Sequence, residues 1–244
     1  MSDMSIIKKI RRIGLKKSFE SLLWKLKYYL ILNPLSHSYS QFGEDILIDK
    51  YVGKKKGFYV DVGANDPSFM NNTKRFYDKG WRGITIDPNL SKWKKLEAER
   101  PEDINLNICL GNKIGEKTLY IFGSDTVNTL SKEEKEFNIR EGFEFLGEKK
   151  VKVETLESVL DKYLQGRNFD LLSIDTEGND LEVLQGNNWK KYRPKVICIE
   201  IYTAGNTTNK KRDSETKYLV KLGYKKVAET EVNAIWLLNK QMLV

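Results

Sequence analysis

Five carboxylates stand where short apolar runs stop: Asp61 in 57–62, Asp87 after 81–86, Asp175 and Glu177 after 169–174, and Glu200 at the end of 195–200. Gly63 and Gly178 follow two of these stops. Such a run, ending in an acid and a glycine, reads as a buried parallel strand that feeds a tight turn. Parallel topology would gather all the stops at one carboxyl edge, where α/β sheets bind ligands. Acids crowded there without matching Lys or Arg repel one another unless a ligand or cation is present. The chemistry open to them is hydrogen bonding to ligand hydroxyls, proton abstraction as a raised-pKa base, or coordination of a hard cation.

Two of these positions have a more specific spacing. Asp61 and Asp87 are 26 residues apart, close to one strand-helix-strand repeat, and Asp87 lies 24 beyond Gly63. An acid about 20 residues past the glycine turn of a nucleotide-binding sheet accepts hydrogen bonds from ribose hydroxyls. The glycine lets the backbone approach a ligand, and the acid meets the sugar.

The elements that must position these groups follow a βα rhythm. A short helix opens at 40–45 with Ile46, Ile48, Tyr51 and Val52 facing inward, and Lys54, Lys55 and Lys56 form a solvated turn into the first strand. A helix over 71–79, a strand over 81–87 and a helix over 90–100 come next, followed by strands over 103–110 and 117–122. Residues 124–148 interrupt the rhythm as an insertion suited to shape a pocket, with Ser131 and Glu134 as a capping box. A short strand at 151–153, a helix carrying Leu156, Val159, Leu160 and Tyr163, the strand before Asp175, a helix over 181–186 and the strand to Glu200 follow. Residues 203–212 are expected to be a loop that acts as a lid, before a helix over 215–222. The last strands, 225–228 and 234–238, are separated too briefly for a helical crossover and are expected to be antiparallel.

Composition bounds the function. The net charge is +8, but residues 1–32 hold eight Lys or Arg against two acids, so the remaining chain is nearly balanced. That distribution does not supply a nucleic-acid groove. Residues 4–32 space Ile6, Ile10, Ile13, Leu22, Leu26 and Leu30 along one face among basic residues, an amphipathic helix that fits an anionic membrane surface, the protein's own body or a second subunit of a homo-oligomer. It has neither the uncharged length of a membrane span nor a secretory cleavage pattern, so a cytoplasmic protein is expected, either free or at the inner face of the membrane. Cys109 and Cys198 fall inside apolar runs and suit small buried hydrophobes in a reducing compartment. His37 is the single histidine and reads as a loop residue, which removes any multi-histidine zinc site. The expected organisation is an N-terminal extension over 1–35 and one α/β domain over 36–244.

Several motifs, in this order, resemble the FkbM family of S-adenosylmethionine-dependent methyltransferases. They are Ser40-Gln41-x-Gly43-Glu44-Asp45, the stretch 57–67, Phe76-Tyr77-x-x-Gly80-Trp81-x-Gly83-x-x-Ile86-Asp87-Pro88, Ile174-Asp175-x-Glu177-Gly178, and Arg193-Pro194-x-Val196-x-x-x-Glu200. The resemblance covers 40–202 and implies a class I, Rossmann-like fold: a seven-stranded, mostly parallel sheet with an antiparallel last strand. It implies S-adenosylmethionine as cofactor and O-methylation of a sugar hydroxyl, on a nucleotide sugar, a bacterial surface polysaccharide or a macrolide. Carried over by position, Asp61, Gly63, Ala64 and Asn65 border the methionine part of the cofactor, Asp87 its ribose, and Glu44 its amino-acid end. Asp175 and Glu177 stand at the methyl-transfer centre with Glu200 in support, either as base or as ligands of a divalent cation. Many members carry His where Asn179 stands, so a nitrogen base or ligand is missing there.

Two other readings compete. A nicotinamide-dependent sugar dehydrogenase or epimerase would share the sheet and the ribose acid. However, 63–68 sets an acid where pyrophosphate would sit, and the Tyr-x-x-x-Lys pair Tyr51 and Lys55 precedes the first strand. A non-catalytic module recruited to membranes by the basic helix would leave the acid-rich strand ends unexplained.

Overall fold

The computed structural model describes Leu23 and residues 38–124, 127–201 and 208–239. Apart from Leu23, the basic segment 4–32 lies outside the described residues, as do His37 and residues 203–207 of the expected lid.

Seven strands form the main sheet: β1 (Phe58–Val62), β2 (Arg82–Ile86), β3 (Ile104–Leu106), β7 (Leu171–Ile174), β8 (Val196–Glu200), β9 (Tyr224–Glu229) and β10 (Asn233–Leu238). Their spatial order is β3-β2-β1-β7-β8-β10-β9. All pairs from β3 to β8 are parallel, and β10 runs antiparallel to both β8 and β9. The brief connection between β9 and β10 therefore does make a hairpin, as expected. Sequence order turns back between β1 and β7, the kind of switch point where a crevice opens outside the strand ends.

Alternation along the strands divides the core into two layers. Val60, Val62, Ile84, Ile86, Leu172, Ile174, Ile197 and Ile199 pack on one face against α5 (Leu156–Leu164), α6 (Asp180–Gln185) and α7 (Thr208–Lys221). Tyr59, Leu171, Val196, Cys198 and Ile235 pack on the other against α1 (Glu44–Val52) and Phe76 of α2 (Lys74–Asp78). Helix α3 (Leu90–Glu99) follows β2. Both cysteines are free and buried, as their apolar surroundings suggest.

A second, three-stranded sheet has the order β4-β6-β5, formed by β4 (Cys109–Gly111), β5 (Gly115–Phe122) and β6 (Phe145–Thr155). Helix α4 (Lys132–Arg140) lies between β5 and β6 and starts at a Ser131 cap, whose side chain accepts from the Glu134 N–H. The small sheet meets the body through backbone: a Cβ on Gly186 would lie 2.2 Å from the Gly111 carbonyl oxygen.

Four expectations are corrected here. The run 103–110 is not one strand: β3 belongs to the main sheet and β4 to the small one. The strand expected at 151–153 spans eleven residues, because its outer part pairs with β5 as an exposed ribbon of charged side chains and so lacks a continuous apolar signal. The helix expected from 71 begins at Lys74, because Asn71 and Thr73 use their side chains in turns ahead of it. The stretch from Thr208 is helical rather than loop, which lengthens the final helix at the expense of the lid.

Buried polar groups are tied across the sheet. The Tyr59 hydroxyl donates to Asp103, whose other oxygen accepts from the Gly83 N–H at 2.8 Å. Burial pushes the Asp103 carboxyl up to about 6. Removing the hydroxyl in Tyr59→Phe leaves a buried carboxylate short of one donor. The variant is expected to lose about 1–3 kcal/mol, seen as a lower urea midpoint with an unchanged slope.

Candidate active site

The site begins with a contact between two turns. After β1 the chain enters Gly63, at φ 80°, and the N–H groups of Gly63 and Ala64 both donate to the Ile86 carbonyl, at 2.8 and 3.2 Å. After β7, the Asp175 N–H donates to the Val62 carbonyl at 2.9 Å. A Cβ placed on Gly63 would stand 1.7 Å from the Asp175 carbonyl oxygen. Only glycine allows the two turns to touch.

A cleft opens at this junction. Its walls are Val62, Gly63, Asn65, Ile86, Asp87, Pro88, Asn89 and Lys92 on one side, and Ile108, Cys109, Leu110 and Leu119 at the apolar end. Asn128, Thr129 and Leu130 of the insertion, with Asp175, Thr176, Glu177 and Asn179, complete it. Asn128, Thr129 and Leu130 are the described residues of the segment 124–148 that line the cleft.

Asp87 is held at the end of β2 by the N–H groups of Asn65 and Asn89, each at 2.8 Å and each on a different oxygen. A carboxylate oxygen has two acceptor positions, so both oxygens keep capacity for a ligand. Burial pushes the Asp87 carboxyl up to about 6, outweighing those two bonds and the nearby Lys92 charge, which favour the anion.

Asp175, Glu177 and Glu200 converge, with one carboxylate oxygen of each within 4.8 Å of the others; Asp175 and Glu177 line the cleft, whereas Glu200 does not. Glu177 sits at φ 49° and Gly178 at φ 106°. This turn is gripped from two sides. The Thr176 N–H and hydroxyl both donate to Asp180, at 2.8 and 2.9 Å. The Thr129 hydroxyl donates to the Glu177 carbonyl at 2.6 Å. A Cβ on Gly178 would lie 2.8 Å from Glu134 Cγ, so α4 starts directly over the turn. Asn179 is buried and bridges the walls, donating to the Leu110 carbonyl at 2.8 Å and accepting from Lys117 at 3.2 Å.

The other candidates fall outside the cleft walls. Asp61 shares a strand face with Tyr59, opposite Val60 and Val62, and accepts from the Thr73 hydroxyl at 2.6 Å. Complete burial raises its pKa, against the pull of Thr73 and Arg100. Glu44 is buried at the start of α1, where it accepts from the Thr230 hydroxyl at 2.6 Å and the Phe42 N–H at 2.8 Å. It therefore fastens the β9-β10 turn. Burial first, and then the charges of Glu44, Asp61 and Asp175, push the Cys198 thiol well above its ordinary value, so these acids surround the end of β8. Lys92, Ile108, Leu110 and Leu119 also line the cleft and were not singled out by the sequence, since their distance from Asp87 and Asp175 is set by the fold and leaves no local pattern.

The strand order, the glycine turn after β1 and the acid after β2 together define a class I methyltransferase fold. A sequence profile of the Methyltransferase FkbM domain matches residues 61–226, and the chain belongs to that family of S-adenosylmethionine-dependent methyltransferases. No curated protein matches the chain. Among solved structures, it is similar to a TehB-like SAM-dependent methyltransferase from Corynebacterium glutamicum, at 12% identity and a TM-score of 0.41 over 90% of this chain and 100% of that one. It is also similar to the fibrillarin pre-rRNA processing protein of Methanococcus jannaschii, at 16% identity and 0.41 over 77% and 68%. A precorrin-6y C5,15-methyltransferase from Geobacter metallireducens gives 14% and 0.38 over 79% and 86%.

Gly63→Ala combines a positive φ with a collision against backbone. It is expected to cost about 2–5 kcal/mol in urea unfolding and to abolish binding of S-adenosylhomocysteine in calorimetry. Gly115→Ala, with nothing within 4 Å of the new carbon, should leave both unchanged.

Proposed function

We propose that this methyltransferase acts on a hydroxyl of a sugar, carried on a nucleotide or built into a bacterial surface polysaccharide, and transfers the methyl group to oxygen. The observation that carries the reading is the convergence of Asp175, Glu177 and Glu200 within 4.8 Å beside the cofactor cleft. A sugar hydroxyl is a poor nucleophile until its proton is removed, and a positioned carboxylate is a group that can take that proton. The sugar class itself is drawn from the family.

The cleft suits the cofactor. Asp87 offers acceptor capacity for the paired ribose hydroxyls, the slot of Ile86, Ile108, Leu110 and Leu119 is apolar enough for a base, and the bare Gly63 backbone leaves room beside the acid turn. When bound, S-adenosylmethionine supplies a methyl group already activated on a sulfonium. The chain's own residues then hold and deprotonate the acceptor. Gly63, Ala64 and Asn65 border the methionine part, while Asp175 accepts the hydroxyl proton and becomes neutral, a change that relieves its repulsion with the Glu177 and Glu200 carboxylates. Asp61 supports the first of these turns from behind the wall through Thr73, and Glu44 holds the β9-β10 turn.

The same 4.8 Å convergence favours a second role for the trio, as oxygen ligands of a divalent cation that lowers the hydroxyl pKa. The two roles separate on treatment with chelator. Loss of methyl transfer and its return with Mg²⁺ or Mn²⁺ supports the cation, and indifference supports the base. In either case Asp175→Asn is expected to lower turnover by roughly 10²-fold or more while leaving S-adenosylhomocysteine affinity near wild type. The assay is a panel of nucleotide sugars and glycans with mass spectrometry of the product; a panel methylated only on nitrogen would overturn the oxygen assignment.

Asp87 makes cofactor binding pH-dependent. Its carboxyl titrates at about 6 in the free protein, and the ribose hydroxyls donate to the anion. Binding is therefore expected to be full above pH 7 and to weaken by up to about tenfold per unit as pH falls below 6. Asp87→Ala should bind weakly at every pH, with that dependence removed. Calorimetry of S-adenosylhomocysteine from pH 5 to 8 measures both.

A further inference from the structure

We propose that Asn71 and Arg100 form a buried brace that sets the shape of the cofactor turn before the cofactor arrives, and that both are positioning residues for S-adenosylmethionine. The proposal rests on the S-adenosylmethionine cleft described above. Between β1 and α2 the chain makes a long excursion without regular structure, and two of its non-glycine residues, Asn65 and Met70, have positive φ, 51° and 54°. Such conformations persist only where surrounding contacts hold them.

Asn71 is the contact that does so. Its Nδ2 donates to the carbonyls of Ala64 at 2.9 Å and Asp66 at 3.0 Å, the two residues flanking Asn65. Its Oδ1 accepts from the N–H groups of Thr73 at 2.9 Å and Lys74 at 2.8 Å, and from Arg100 Nη2 at 2.7 Å. One amide therefore ties the turn to the start of α2 and to a buried guanidinium. Asn65, fixed from both sides, directs its N–H onto Asp87 and lines the cleft.

Arg100 has no exposed surface. Its Nη2 also donates to the Pro67 carbonyl at 2.6 Å, and Nη1 donates to the Thr73 hydroxyl at 2.8 Å, which in turn donates to Asp61. Every one of these acceptors belongs to the excursion that follows β1. The guanidinium balances the Asp61 charge through a single hydroxyl while it clamps the loop. Its Nε is buried with no hydrogen-bond partner among the described residues, a poor choice for core stability alone. Buried charges of this kind add little net stability, so their value lies in the geometry they impose. Neither Asn71 nor Arg100 is in the cleft wall; both stand behind Gly63 and Asn65. A turn held in its binding shape binds without a further ordering cost.

The test is calorimetry of the full chain with S-adenosylhomocysteine, paired with urea unfolding. Asn71→Asp keeps the oxygen that Thr73, Lys74 and Arg100 use and removes the two donors to the turn. It is expected to weaken binding by roughly tenfold or more, with a drop in unfolding midpoint comparable to that of Tyr59→Phe, so that the loss of binding is what sets it apart. Arg100→Lys, which keeps the charge but not the paired nitrogens, should also weaken binding, and it keeps the test open if Asn71→Asp does not fold. Tyr59→Phe is the control: it loses stability at a buried site that does not touch the turn, and should bind as wild type below its melting range. Wild-type affinity in folded Asn71→Asp or Arg100→Lys, or an equal loss in Tyr59→Phe, overturns the brace. A wild-type protein that does not bind S-adenosylhomocysteine overturns the cofactor assignment itself, and the brace with it.

Discussion

Between the ends of β1 and β7 the backbone approaches itself so closely that only a hydrogen atom fits: Gly63 rests on the carbonyl of Asp175. One of the two turns on either side of that contact carries Asn65, which lines the cleft, and the other carries Asp175 and Glu177, two of the three convergent acids. Their separation is set by van der Waals contact between main chains and by the bonds from Gly63 and Ala64 to Ile86 and from Asp175 to Val62. Rotamers do not enter. A spacing fixed by main-chain contact is stiffer than one fixed by side chains that can change rotamer.

That stiffness coexists with unfavourable electrostatics. Burial raises Asp61, Asp87 and Asp103 above the ordinary carboxylate range, and each is restrained differently: Asp61 by Thr73 and Arg100, Asp87 by two backbone N–H groups, Asp103 by Tyr59 and Gly83. Only Asp87 faces the cleft. The polar residues Thr85, Asp61, Ser173 and Cys198 stand in register across four neighbouring strands, so the helix-covered face of the sheet turns polar one step before its carboxyl edge. The fold ends its apolar core where its chemistry begins.

The strand runs and their terminal acids were legible because period, composition and turn residues are local signals, and the sheet, its final hairpin and the convergence of Asp175, Glu177 and Glu200 follow from them. What was hidden depended on distance. Arg100 closes the helix expected over 90–100 with no local mark of burial, yet it is fully buried, because only the fold brings Asn71 and Thr73 to it. Asn71 was taken into a helix whose first turn it instead precedes. The parity of Asp61 with Tyr59 was visible, but which sheet face borders the cleft was not. The switch of sheet between Leu106 and Cys109 leaves no local mark at all.

The insertion holds the acid turn through parts common to every amino acid. Thr129 bonds a carbonyl, and α4 presses on the α-carbon of Gly178. A grip of that kind is blind to the side chains at 175, 177 and 179. The insertion's residues that line the cleft and the side chains of the acid turn can therefore vary independently, each without loosening the other.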